Sequence, residues 1–147
     1  MNFRPARPED LPCLVDMLAD DPIGQTREDP SNLEPYRKAL ASIGRDPNQL
    51  LLVCEQSQLL GFLQLTFIPG LTYQGGWRAQ IEGVRVQSRC RSRGVGRLLL
   101  EEAVRLARQR GCVLVQLTTD LARPGALRFY QRLGFTASHS GLKLALQ

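Results

Sequence analysis

Between Ile81 and Leu100 the chain reads IEGVRVQSRCRSRGVGRLLL, a strand pattern that ends in an arginine- and glycine-rich turn and opens directly into a helix. This segment fixes an α/β order at the centre of the chain, and it also carries chemistry. Gly94 and Gly96 have no side chains, so successive amide N–H groups can converge on an anion at the positive end of the helix, while Arg91 and Arg93 add full charges. A phosphate-bearing ligand is implied, and spacing excludes two common kinds of site. There is no Gly-x4-Gly-Lys-Ser/Thr, and Gly94-x-Gly96 is followed by Arg97, Leu98 and Leu99, so the third glycine of a dinucleotide fingerprint is missing.

What remains, Arg91-x-x-Gly94-x-Gly96, resembles the pyrophosphate loop of the GNAT N-acetyltransferases, a family that moves acetyl groups from acetyl-CoA to amines. The plainer reading is a surface turn with solvated arginines. A second segment, Ala126 to Phe135 (ALRFYQRLGF), is similar to the A-x-x-FY-x-x-x-GF pattern near the C-terminus of that family. Counted on its own, it is a short helix with Leu127, Tyr130 and Leu133 at helical spacing, Pro124 in the first turn and Gly134 just past the end. Its bland reading is a core-packing helix. Both motifs occur in the family's order within a chain of the right length, and the resemblance covers residues 2 to 147.

At 147 residues and 43% hydrophobic content, the chain can bury a substantial core without metals or disulfides, and one domain over residues 2–147 is expected. Cys13, Cys54, Cys90 and Cys112 are scattered, with no Cys-x-x-Cys, and His139 is alone, so neither a disulfide framework nor a metal site is indicated. The segment MNFRPARPED lacks a hydrophobic signal region, and the apolar runs are too short to span a bilayer. A cytoplasmic protein with no membrane partner is the expectation. Net charge is +5, and seventeen of the nineteen basic residues are arginine, which suits bidentate contact with phosphates. Nucleic acid is not expected as a partner. The basic residues are densest between Arg85 and Arg97, where aromatic residues for base stacking are absent.

Along the chain, a short strand from Phe3 precedes a helix set by Pro8-Glu9-Asp10, with Leu11, Leu14, Val15 and Leu18 on one face. A second helix runs from about Glu34 to Ile43, ended by Gly44. Leu50–Glu55 and Leu59–Ile68 form a hairpin around Gln56-Ser57-Gln58. A strand follows from about Arg78 to Val86, with a bulge at Gly83. The helix after Gly94 stops at Gly111. Val113, Val115 and Leu117 alternate as a strand, Arg123–Leu133 is a short helix, and Phe135–Leu146 closes the chain as a hairpin. The pattern predicts an α/β (α+β) class with mixed pairing. The resemblance implies the GNAT acyl-CoA N-acyltransferase fold, a mixed twisted sheet of about six to seven strands flanked by about four helices.

The resemblance also implies site residues. In the family the strand before the phosphate loop is splayed from its neighbour, and the pantetheine arm adds to it through backbone groups, a role that falls on Val84, Arg85 and Val86. Arg91, Ser92, Arg93, Gly94, Val95, Gly96 and Arg97 would hold the pyrophosphate. Asp120 stands where many relatives carry an asparagine that contacts the pantetheine arm. An ionised aspartate accepts hydrogen bonds but donates none, so here it could instead orient Tyr130 or meet a cationic acceptor. Aminolysis of a thioester needs a neutral amine and a protonated leaving thiol. Glu82 is the candidate base, directly or through water, against a competing reading as a partner of Arg78 or Arg85. Tyr130 is the candidate general acid toward the CoA sulfur, against a packing role.

The acceptor is expected to be a small primary amine. Asp20 and Asp21 would favour a cation, whereas Arg27 and Arg78 would favour a carboxylate or phosphonate. Glu28, Tyr73 and Trp77 complete the candidate pocket, and a solvated loop is the alternative. A protein or peptide N-acetyltransferase and a non-catalytic acyl-CoA-binding module remain as other readings. Family members often dimerise through sheet edges, so a homodimer is left open.

Overall fold

The structure is a computed structural model that describes residues 1–123 and 125–147. Pro124, expected in the first turn of the C-terminal helix, lies outside the described residues. The elements run β1 (Asn2–Pro5), a 3-10 turn (Pro8–Asp10), α1 (Leu11–Ala19), α2 (Gly24–Arg27), α3 (Glu34–Arg45), β2 (Gln49–Gln56), β3 (Gln58–Ile68), the single turn α4 (Thr72–Gly75), β4 (Arg78–Val86), a 3-10 turn (Ser88–Cys90), α5 (Val95–Gln109), β5 (Leu114–Leu117) and α6 (Ala126–Arg132). Two units are distinguished, Met1–Gln116 and Leu117–Gln147.

In the first unit, the expected hairpin forms with Ser57 at a φ of 62° in its turn, and β1 to β4 pair antiparallel. The order is β1-β2-β3-β4-β5, and the chain reaches β5 through α5, the kind of crossover that a parallel neighbour requires. Alternation along the strands sorts residues to the two sheet faces. One face presents Leu63, Leu65, Phe67, Ala79 and Ile81, all buried, to the buried positions Leu99, Leu100, Ala103 and Ala107 of α5. Arg110, just past α5, fastens this layer. Its guanidinium lies 4.1 Å from the centre of the Phe67 ring and donates to the Asn48 side chain at 2.9 Å.

The other face is divided. Under α1, Leu14 and Met17 pack on Val53 and Phe62. Beyond α1 it turns polar, because the register places Gln49 opposite Thr66, Gln64 opposite Glu82, and Thr66 opposite Gln80. These side chains are tied into pairs. Gln49 Oε1 accepts from Gln64 Nε2 at 3.0 Å and from Thr66 Oγ1 at 2.9 Å, and Gln80 Oε1 accepts from Gln116 Nε2 at 2.8 Å.

At the start of the chain, Arg4 bridges β1, the first 3-10 turn and β2. It contacts Asp10 at 2.8 Å and Glu55 at 2.9 Å, and the Arg7 amide also donates to Asp10. The Arg4 contact is the main reason that the Asp10 and Glu55 carboxyls are held below their ordinary range.

The α/β class and mixed sheet agree with the sequence reading, and two details are corrected. Gly44 does not end α3, which continues to Arg45; a glycine within a helix costs about 1 kcal/mol and is tolerated. The sheet has five strands among the described residues rather than six to seven, because the segment from Phe135 to Leu146 forms no ladder. Alternation of Leu142, Leu144 and Leu146 specifies an extended backbone, but a strand also needs a hydrogen-bonded neighbour, and these leucines are exposed.

Candidate functional site

The phosphate-loop residues lie where β4 passes through the second 3-10 turn into α5. Gly94 is the N-cap of α5 at a φ of 82°, and no side chain caps that end. A helix leaves its first N–H groups without intrahelical partners, and a left-handed glycine turns the preceding amides toward the same side. Ser92 is also left-handed, at 64°. The residue order is thus Arg91, Ser92, Arg93, Gly94, all exposed, followed by buried Val95, half-buried Gly96 and exposed Arg97. Val95 anchors the turn in the core while its neighbours face outward. The chemistry suits a pyrophosphate, with backbone donors, a positive helix end and three guanidinium groups close in sequence. Arg97 is engaged by Glu101 at 2.7 Å, and Arg91 approaches Asp20 at 3.4 Å.

On β4 the predicted bulge is present. Gly83 has a φ of 62°, and between the pairs Gln64–Glu82 and Phe62–Arg85 two β4 residues oppose one β3 residue. The bulge lies between Glu82, which is exposed, and the half-buried run Val84, Arg85 and Val86. β5 lies beside β4, and along the first half of β4 the Val113 amide donates to the Trp77 carbonyl at 2.8 Å and Gln116 bonds to Gln80. The sequence reading gave Arg85 a backbone role alone. Its side chain in fact turns inward, reaches Asp21 at 3.6 Å and donates to the Val84 carbonyl at 2.9 Å. Asp21 also accepts from the Gly24 amide, so one carboxylate joins the α1–α2 connection to β4. Sequence reasoning missed this link because the two residues are remote in the chain and nothing in either neighbourhood marks the other as its partner.

The acceptor candidates separate by their partners. Asp20 faces Arg91, Asp21 faces Arg85, and Arg27 lies 3.9 Å from Glu28. Tyr73 and Trp77 are exposed in the connection that includes α4, where Tyr73 and Gln74 are left-handed at 54° and 57°. Such angles in non-glycine residues hold strain and occur mostly where a loop is shaped for a task. Arg78 is half-buried at the start of β4, and none of the ion pairs among the described residues includes it.

In the second unit, Tyr130 is half-buried on α6, between Phe129 and Phe135 with ring centres 5.1 Å and 5.9 Å away in edge-to-face geometry. Gly134, at a φ of 97°, ends α6 and allows the Phe135 amide to donate back to the Tyr130 carbonyl at 3.1 Å. Phe129 and Phe135, the latter brought back by the turn at Gly134, therefore pack against this ring. Asp120 closes a local turn, its carboxylate accepting from the Ala122 amide at 2.8 Å.

Three of the four thiols are poorly suited to nucleophilic work. Burial pushes Cys13, Cys54 and Cys112 above the ordinary thiol range. No group of three His, Cys, Asp or Glu among the described residues is placed to hold a metal, and no helix is long and apolar enough to cross a membrane.

Comparison with known proteins gives a consistent result. The model of the Acetyltransferase (GNAT) family matches residues 13–135. An aminoalkylphosphonate N-acetyltransferase of Salmonella typhimurium is 31% identical over 114 residues, 77% of this chain and 73% of that protein. A Bacillus halodurans protein described as a transcriptional regulator has a solved structure that superposes with a TM-score of 0.93 at 49% identity over 99% of both chains. A putative acetyltransferase from Agrobacterium tumefaciens superposes at 0.87 with 24% identity, again over 99% of both.

Proposed function

The chain belongs to the GNAT acetyltransferase family and is an N-acetyltransferase, and from that premise we propose that it moves the acetyl group of acetyl-CoA to the primary amine of a small molecule. The observation that carries the cofactor half of this reading is the uncapped, glycine-started N-terminus of α5 among Arg91, Arg93 and Arg97. These residues, with Ser92, Gly94, Val95 and Gly96, hold the pyrophosphate of the co-substrate. The pantetheine arm adds to the backbone of Val84, Arg85 and Val86, with Asp120 contributing a contact to it.

Transfer is by direct attack. The acceptor ammonium loses a proton to Glu82, directly or through water, and the neutral amine attacks the thioester carbon. The Val84 N–H stabilises the oxyanion that forms. The C–N bond forms, the C–S bond breaks, and the nitrogen gives up its second proton to solvent to leave the amide. The departing thiolate takes a proton from the Tyr130 hydroxyl, which recovers it from solvent, and Glu82 returns its proton to solvent. Most of the rate gain comes from holding amine and thioester together. The enzyme is read as one catalytic domain over residues 2–147. It acts in the cytoplasm on free small molecules, without metal, nucleic acid or membrane, and a homodimer is compatible with this activity.

The test is CoA release, followed with a thiol reagent, across polyamines, aminoglycosides, amino acids, aminophosphonates and peptides. Turnover with one small-molecule class is expected, with Glu82→Gln and Tyr130→Phe each lowering kcat about 10²-fold or more, the usual weight of a general base or acid. Turnover with peptides alone would make it a protein or peptide acetyltransferase. Acetyl-CoA binding without turnover would make it a binding module.

A further inference from the structure

We infer that the acceptor is a two-ended molecule, an amine with an anionic group several bonds away, and that Arg78 binds the anionic end. The inference rests on the acetyltransferase reading and names the chemistry of its acceptor. Arg78, Gln80 and Glu82 occupy alternate positions of β4, so they share one face, opposite the buried Ala79 and Ile81. Of the charged candidates around this face, Asp20, Asp21 and Arg27 are each matched by a charge of the protein. Arg78 and Glu82 enter no ion pair among the described residues.

Arg78 is half-buried as a residue and has no counter-charge among the described residues, so its guanidinium, with donors in a planar fork, is open to a carboxylate or phosphonate. The surroundings make room for the guanidinium. A Cβ at Gly70 would lie 3.0 Å from Arg78 Nη1, so the absent side chain there is what lets the arginine lie against the loop. Between the two charges the floor is neutral. Gln80 is bonded to Gln116, and Gln49 joins Gln64 and Thr66. A molecule lying along β4 therefore meets a carboxylate, then carboxamides, then a guanidinium. Four residues of strand separate the charged positions by about 13 Å between Cα atoms. An α-amino acid, with one carbon between its charges, cannot reach both, whereas an ω-amino acid or ω-aminoalkylphosphonate can.

Acetylation is compared within pairs of equal length, 6-aminohexanoate with hexylamine and 4-aminobutylphosphonate with butylamine, with glycine beside them. The expected result is a preference of about tenfold or more in kcat/KM for the anionic member, the scale of one charge-assisted hydrogen-bonded pair. Glycine should be poor. Arg78→Ala should abolish the preference, mainly through KM, and Arg78→Lys should restore part of it. Equal rates within the wild-type pairs, or an equal loss on both members in Arg78→Ala, would overturn the inference while leaving the acetyltransferase reading intact. Calorimetric titration of 6-aminohexanoate into the CoA-bound protein separates the two in the other direction. Binding that weakens about tenfold in Arg78→Ala, at an unchanged melting temperature, supports the Arg78 site even if no acetyl group is transferred. No binding at all overturns it.

Discussion

Asp10 is a buried carboxylate whose charge is held by one arginine, and its acid sensitivity follows from that contact. The Arg4 guanidinium lowers its folded-state pKa below the unfolded value, with the Arg7 amide adding to the effect. Its stabilisation is therefore complete at pH values above the ordinary aspartate range, near 4, and is lost as pH falls through the lowered folded value. Glu55, held by the same arginine, acts in the same direction. We expect the melting temperature to be flat from neutral pH to about 5 and then to drop. In Asp10→Asn the drop should be shallower and the neutral-pH value lower, because Arg4 loses a partner. Melting curves from pH 2 to 7 on both proteins check this.

At the scale of elements, two glycines make opposite predictions about cause. At Gly94 an added Cβ meets nothing within 4 Å, but φ is 82°, so Gly94→Ala should cost about 1–2 kcal/mol through backbone conformation alone. It should also weaken acetyl-CoA binding by misdirecting the turn. At Gly61 the backbone is ordinary, but a Cβ would stand 2.7 Å from the Arg85 carbonyl oxygen and 3.0 Å from Leu99. Gly61→Ala should cost about 1–3 kcal/mol by forcing β3 and β4 apart next to the bulge. Urea unfolding measures both, and acetyl-CoA titration separates the first from the second.

The strand–turn–helix of residues 81–100 was legible because each of its signals is local: alternation, then glycines, then helical spacing. The same holds for the hairpin around Ser57 and the bulge at Gly83. The glutamine row was not legible. Gln49, Gln64, Gln80 and Gln116 each look like an ordinary polar strand position, and only the register of β2, β3 and β4, with the bond from Gln116 to Gln80, brings them together. The hairpin expected over Phe135–Leu146 failed for the converse reason, since a locally extended pattern has no partner strand there among the described residues.

For the molecule as a whole, the excess of positive charge bears on how acetyl-CoA, the proposed co-substrate, would arrive. Net charge is +5, and the phosphate loop concentrates exposed arginines at one helix end. Raising ionic strength from 0.05 to 0.5 M shortens the Debye length from about 14 Å to about 4 Å. The KM for acetyl-CoA should therefore rise several-fold while kcat with a neutral amine stays within about twofold. A KM indifferent to salt would mean that backbone donors, rather than the arginines, dominate binding.

Apart from half-buried Gly70 and Gly76, every residue from Pro69 to Trp77 is exposed and none is buried, and that has a consequence for how such a protein changes over generations. The exposed side chains there do not enter the core, so positions of this connection other than the tightly flanked Gly70 and Gly76 can change with little effect on packing. The turn before α5 is less tolerant, because Gly94 is held at a left-handed φ and Val95 is buried in the core. Under the proposed reading, in which this connection borders the acceptor and the turn before α5 holds the acetyl donor, about nine residues could be rewritten to exchange one acceptor for another with the donor site left as it is.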